Sequence, residues 1–142
     1  YYIGSGKGYI KTKYKIHLND GKFLSLTFDD YTYFGGAHER ITRTGLTFEV
    51  TTGKLIEWTD LFLPISETQR QLSNQLMAKQ ADAKKLNTFS PFSGLKKGAT
   101  VPSAFCLSEN VNPVIIFQPY EVGPFSSGII EFEIDRSCFE NI

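Results

Sequence analysis

Asp29-Asp30 and His38-Glu39 are the residues of this chain best equipped for chemistry. Carboxylates and an imidazole grouped in this way could ligate a metal or share acid–base work. The pattern is weak for that purpose. His38-Glu39 lacks the second histidine of an HExxH helix, and Gly35-Gly36 argues against a helix there. The plainer reading is a glycine bend between strands, with His38 hydrogen-bonded to fix it. A nucleophilic triad has little to draw on. The two histidines are His17 and His38, neither cysteine lies in a nucleophile motif, and no serine sits in G-x-S-x-G. Gly4-Ser5-Gly6-Lys7-Gly8 lacks P-loop spacing and no strand precedes it, so it reads as a flexible end. The expectation is a protein that is not an enzyme, with no metal and no cofactor.

Composition narrows the remaining classes. At 142 residues, 41% hydrophobic and 21% charged, the chain fits one globular domain with a real core. Its 15 basic and 15 acidic residues balance, so it lacks the cationic excess of a nucleic-acid binder. No apolar run approaches the ~20 residues that cross a bilayer, so any membrane attachment would come through a segment absent from this chain. The only methionine is Met77 and no signal peptide opens the sequence, which reads as a mature or trimmed fragment. Cys106 and Cys138 fit no CxxC metal pattern; they form a disulfide in an exported protein or stay as two buried thiols.

The elements that must position these residues are mostly strands. Tyr14, Ile16 and Leu18 alternate with polar residues, as do Leu24, Leu26 and Phe28, then Leu46, Phe48 and Val50, then Ile130, Phe132 and Ile134. Asn19-Asp20-Gly21 is a hairpin turn between the first two runs, and Thr52-Gly53-Lys54 is a later turn before a short run from Leu55 to Trp58. One apolar and one polar face per strand favours antiparallel pairing. Phe105 to Leu107 and Val114 to Phe117 read as two more paired strands. Ser66 to Gln69 has capping-box form, and Leu72, Leu76, Ala83 and Leu86 follow at helical spacing, predicting one main helix over about 66–86. Asn87 to Thr100 reads as loop, and Asp135 to Phe139 as a short C-terminal helical turn. The fold class expected is α+β: an antiparallel sheet with that helix packed on it. A single domain covers 1–142, with residues 1–13 readable as the trailing part of a preceding segment.

Between the last two strand-like runs lies Pro119-Tyr120-Glu121-Val122-Gly123-Pro124-Phe125-Ser126-Ser127-Gly128. Its prolines and glycines forbid a helix and disfavour a central strand, so a stiff aromatic loop is held between regular elements. Such loops often bind. Tyr120, Glu121, Pro124 and Phe125 are the candidate contact residues, with Gly35, Gly36 and His38 as candidate support from a neighbouring strand. Prolines limit the entropy lost on binding. Tyr33 and Phe117 read as core; Tyr120 and Phe125 stand between core and contact. Pro124 and Gly128 also read as residues that shape the backbone.

Three segments then line up in order: Tyr31 to His38, Thr52-Gly53-Lys54 leading to Asp60-Leu61-Phe62, and Phe117 to Gly128. Together they resemble the RsiV-type C-terminal domain, from about Tyr14 to the end. The last segment is the most specific. The resemblance implies an extracytoplasmic bacterial domain of the cell envelope. In RsiV-like anti-sigma factors such a domain binds lysozyme, and similar domains stand beside peptidoglycan deacetylase domains. The implied function is a ligand-binding or sensor domain recognising a lysozyme-like protein or a peptidoglycan component through the 119–128 loop. The alternative is a non-catalytic accessory domain of a peptidoglycan-modifying deacetylase.

Overall fold

The computed structural model describes residues 2–3, 6–61, 74–75, 77–78, 104–121 and 123–136. A short ribbon pairs β1 (Tyr2–Ile3) with β2 (Gly6–Lys7). A first antiparallel sheet has the order β3-β4-β5, formed by β3 (Tyr9–Asn19), β4 (Phe23–Tyr33) and β5 (Arg40–Glu49). A second has the order β6-β7-β8, formed by β6 (Ala104–Leu107), β7 (Pro113–Phe117) and β8 (Ile130–Glu133). The predicted turns hold. Asp20 Oδ1 accepts from the N–H groups of Lys22 and Phe23, at 2.9 and 2.8 Å, and Gly21 takes φ 86°. In the second turn Gly53 takes φ 70° and donates to the Glu49 carbonyl.

The α+β expectation is corrected. The described residues form an all-β structure of two three-stranded antiparallel sheets, and their only complete helical elements are 3₁₀ turns at Trp58–Asp60 and Phe125–Ser127. Helical backbone occurs at Asn74, Gln75, Met77 and Ala78, but no main helix packed on a sheet is among the described elements. The rest of the span 66–86, the loop 87–100, and all of the C-terminal turn beyond Arg136 lie outside the described residues. The run from Leu55 is a single bridge from Leu55 to Phe48, followed by the 3₁₀ turn.

The strand alternation has a consequence that hydrophobicity alone does not indicate. Ser25, Thr27 and Thr47, the polar alternates of β4 and β5, are buried, while Ile16 and Tyr14 of β3 are largely exposed. The reason is the second sheet. Strand β6 meets the first sheet with its open backbone edge: Leu107 N–H donates to Ser25 Oγ at 2.7 Å, and Ser25 Oγ lies 2.8 Å from Thr47 Oγ1. Small hydroxyl residues therefore do there what a neighbouring strand would otherwise do. Gly45 makes the approach possible. A Cβ at this position would lie 1.9 Å from the Phe105 carbonyl oxygen.

The apolar core forms around the second sheet. Phe105, Leu107, Ile115, Phe117, Ile130, Phe132 and Ile134 cluster with Leu18, Phe23, Trp58 and Leu61. Trp58 meets Phe105 edge-on with centroids 5.4 Å apart. Cys106 is a free, fully buried thiol whose pKa burial pushes up to about 12; Cys138 lies outside the described residues. Lys54 Nζ reaches Asp60 Oδ1 at 2.9 Å, tying the Thr-Gly-Lys turn to the 3₁₀ turn that seats buried Leu61.

Candidate functional site

The loop after β7 begins as a tight turn. Glu121 N–H donates to the Gln118 carbonyl at 3.0 Å, Pro119 occupies the second position, and Tyr120 in the third has φ 71°. These are the marks of a type II turn, whose third position ordinarily belongs to glycine. A tyrosine held there costs on the order of 1–2 kcal/mol. Glu121 folds back so that its Oε2 accepts from Gln118 N–H at 2.8 Å. Its carboxylate is thus partly committed to the turn. Pro124, at φ −67° and ψ 161°, leads into the 3₁₀ turn carrying Phe125, and Gly128 ends it at φ 64° and ψ −149°, backbone that suits glycine.

Gln118 anchors this loop to the first sheet. Its side-chain amide accepts from Arg43 N–H at 2.9 Å and donates to the Arg43 carbonyl at 2.8 Å. It behaves like one residue of an added strand along β5. Beneath it, the Arg43 guanidinium grips Asp29 with two bonds, 2.5 and 2.6 Å, and reaches Glu131 on β8 at 2.7 Å. The bidentate pair, within the first sheet, holds the Asp29 carboxyl below its ordinary pKa, and the Glu131 bond joins the two sheets. A polar cavity of about 230 Å³ lies alongside, lined by Lys13, Lys15, His17, Thr27, Asp29 and Arg43 among others. His17 Nε2 is 2.9 Å from Thr27 Oγ1, and burial, then Lys15, lowers its pKa.

The bend between β4 and β5 supplies the other half of the site. Gly35 and Gly36 take φ 96° and 121°, so the chain turns where a side chain would be strained. Tyr33 Oη donates to the Gly36 carbonyl at 3.1 Å, and Tyr9 Oη donates to Glu39 Oε2 at 2.6 Å. Held this way, the bend sets the His38 ring on Phe125, stacked with centroids 3.9 Å apart and planes 24° off parallel. Tyr120 is tilted against Phe125, centroids 5.5 Å apart and planes 36° off parallel, and is 70% exposed. Tyr120, Phe125 and His38 thus form a ladder of three rings at the surface. Ser127, two residues past Phe125, has a buried hydroxyl with no hydrogen-bond partner among the described residues.

Of the residues singled out from the sequence, the structure brings Tyr120, Phe125 and His38 together, and Gly35-Gly36 belong to the bend that carries His38. Pro124 and Glu121 shape the loop backbone. Tyr33 is half-buried and Phe117 is core. The residues with metal or acid–base potential do not converge. Asp29 is paired with Arg43, Asp30 accepts from Thr12 Oγ1 at 2.5 Å, and His38 stacks on Phe125. Among the described residues no group of three or more His, Cys, Asp or Glu could hold a metal, and no helix is long and apolar enough to cross a membrane. Arg43, Gln118 and Glu131 were not legible as a unit, because they meet only when the two sheets pack.

Residues 3–39, running from the end of β1 through β4 and the glycine bend, match the family described as deacetylase PdaC. No protein of curated function matches the sequence. Among solved structures, a member of the DUF3298 family from Bacteroides fragilis superposes with TM-score 0.71 at 19% identity, over 92% of this chain and 52% of that one. A DUF3298 family protein from Pseudomonas aeruginosa gives 0.70 at 16%, over 90% of this chain and 60% of that one. The chain therefore spans a little over half the length of these structures and shares their fold. Residues 59–137, more than half of its 142 positions, match the family described as protein of unknown function DUF3298, and the chain belongs to that family.

Proposed function

We propose that this chain is a non-catalytic accessory domain of an extracytoplasmic, peptidoglycan-modifying protein, and that it contacts its target through the ring ladder of Tyr120, Phe125 and His38. The observation that carries this reading is the ladder itself. Three rings from two distant loops meet at the surface, His38 stacked on Phe125 and Tyr120 tilted against it, and one sits at a strained backbone position. Strain of this kind is kept where the surroundings hold it, commonly at binding sites. Flat aromatic surfaces suit the C–H faces of sugars and the side chains of a protein partner equally. The match of residues 3–39 to deacetylase PdaC supports the peptidoglycan and envelope setting.

A second reading, a sensor that binds a lysozyme-like protein through the same loop, is favoured by the 119–128 segment, which follows the RsiV-type pattern. One set of measurements separates the two. Co-sedimentation with insoluble peptidoglycan and calorimetry against lysozyme are run on the parent and on Tyr120→Ala, Phe125→Ala and His38→Ala. Retention by peptidoglycan, lowered about tenfold by Phe125→Ala, supports the accessory reading, because stacked aromatic contacts dominate such surfaces. Heat with lysozyme supports the sensor. Binding that all three variants keep at parental affinity removes the ladder from the site, and no binding to either target overturns both readings.

A further inference from the structure

Strand β3 is an edge of the first sheet, and the other exposed backbone near it is treated quite differently. The open side of β5 is satisfied by Gln118 at Arg43 and by Lys54 and Ile56 at Glu49 and Thr47. The open side of β6 is satisfied at Leu107 by Ser25. No backbone hydrogen bond to the outer side of β3 occurs among the described residues, and eight consecutive residues, Tyr9 to Ile16, are exposed. The direction of its free groups follows from the ladder. Arg43 N–H and C=O point away from β4 to Gln118, so in the Asp29–Arg43 pair the Asp29 groups point to β3 and bond with Lys13. By alternation the N–H and C=O groups of Ile10, Thr12 and Tyr14 point outward.

The side chains of this edge are sorted by face. Lys11, Lys13 and Lys15 project on one side, at a spacing of about 7 Å. Ile10, Tyr14 and Ile16, exposed by 68%, 70% and 52%, project on the other with Thr12. Neither Lys11 nor Lys15 makes an ion pair among the described residues. Lysines on an edge deter pairing with a like strand. In antiparallel pairing of two copies about Lys13, Lys11 would face Lys15 and Lys13 would face itself, which is unfavourable. The same row attracts a strand that carries carboxylates on that face.

We propose that β3 is a strand-addition site for an extended peptide segment that alternates acidic and apolar residues. The incoming backbone bonds to Ile10, Thr12 and Tyr14, its carboxylates lie beside Lys11, Lys13 and Lys15, and its apolar side chains cover Ile10, Tyr14 and Ile16. Main-chain bonds supply affinity in this mode and alternate side chains supply selectivity. The surface is separate from the ring ladder, so the proposal stands whatever the ladder binds.

The test titrates the 142-residue chain with three capped heptapeptides, followed by amide NMR shifts: alternating Glu and Val, alternating Lys and Val, and the Glu peptide N-methylated at alternate residues. The expected result is shifts along residues 9–16 with the Glu peptide, binding at least about tenfold weaker with the Lys peptide, and none with the N-methylated peptide. Lys11→Glu with Lys15→Glu reverses the preference. Thr12→Pro, which removes an outward donor while leaving the ladder to β4 intact, weakens both acidic and reversed pairings. Equal binding of the acidic and basic peptides, undiminished binding after N-methylation, shifts confined to other residues, or concentration-dependent self-association through β3 in the parent would each overturn the proposal.

Discussion

Tyr120 occupies a backbone position that glycine would fill without strain, and it presents a ring that is mostly in solvent. If the fold alone dictated this position, a glycine there would cost nothing. Tyr120→Gly is therefore expected to leave the protein as stable or more stable by about 1 kcal/mol in urea denaturation, while weakening target binding. Gly45 is the opposite case. Gly45→Ala drives a Cβ into the Phe105 carbonyl and is expected to cost about 3 kcal/mol or more, read as a lowered denaturation midpoint, without touching the ring ladder. The glycines were visible in the sequence, but their roles were not equally so. Gly35, Gly36 and Gly128 sit in loops, where positive φ is an obvious use. Gly45 lies inside a strand, and its purpose depends on β6, sixty residues away.

Among the elements, the strands carry the clearest imprint of the sequence. Alternation and the Asp20-Gly21 turn fixed the β3–β4 hairpin, and antiparallel pairing followed. Which face became buried did not. Ser25 is inside because it satisfies the edge of β6, Thr47 because it bonds Ser25, and Thr27 meets His17; a pattern of hydrophobic residues carries no information about an incoming strand edge. The proline loop was legible from its composition, and its pairing with the glycine bend was legible only in part, since no local rule stacks His38 on Phe125.

The connections between elements also predict an acid profile. Asp20 is lowered by the N–H groups of Phe23 and Lys22, Asp29 by Arg43, and Asp60 by the Glu57 N–H and then Lys54, each from an ordinary value of 3.8. A carboxylate whose folded pKa is depressed stabilises above its unfolded pKa, and that contribution is lost as pH falls through the folded value. His17, depressed from 6.5 by burial, likewise favours the folded state above pH 6.5 and loses that contribution as pH falls. Denaturation midpoints should decline gently below about pH 6.5 and steeply below about pH 4. His17→Gln, which keeps a partner for Thr27, should remove only the gentle part.

At the scale of the whole molecule, the two three-stranded sheets are joined, among the described residues, by links that include the Arg43–Glu131 ion pair, the hydroxyl-capped edge of β6, Gln118 imitating a strand along β5, and the shared apolar core. Their union brings the loop after β7 and the bend before β5 to one place. The site is therefore a product of the assembled fold, and its most conspicuous groups are rings rather than acids, bases or metal ligands. The most direct test is amide NMR mapping with soluble peptidoglycan fragments and with lysozyme. Whichever target binds is expected to shift residues 34–39 and 118–128 together, and Phe125→Ala is expected to weaken that binding about tenfold, so that both sets of shifts need a correspondingly higher ligand concentration. Binding that perturbs neither segment, or that persists unchanged in Phe125→Ala, would contradict a site at the ring ladder.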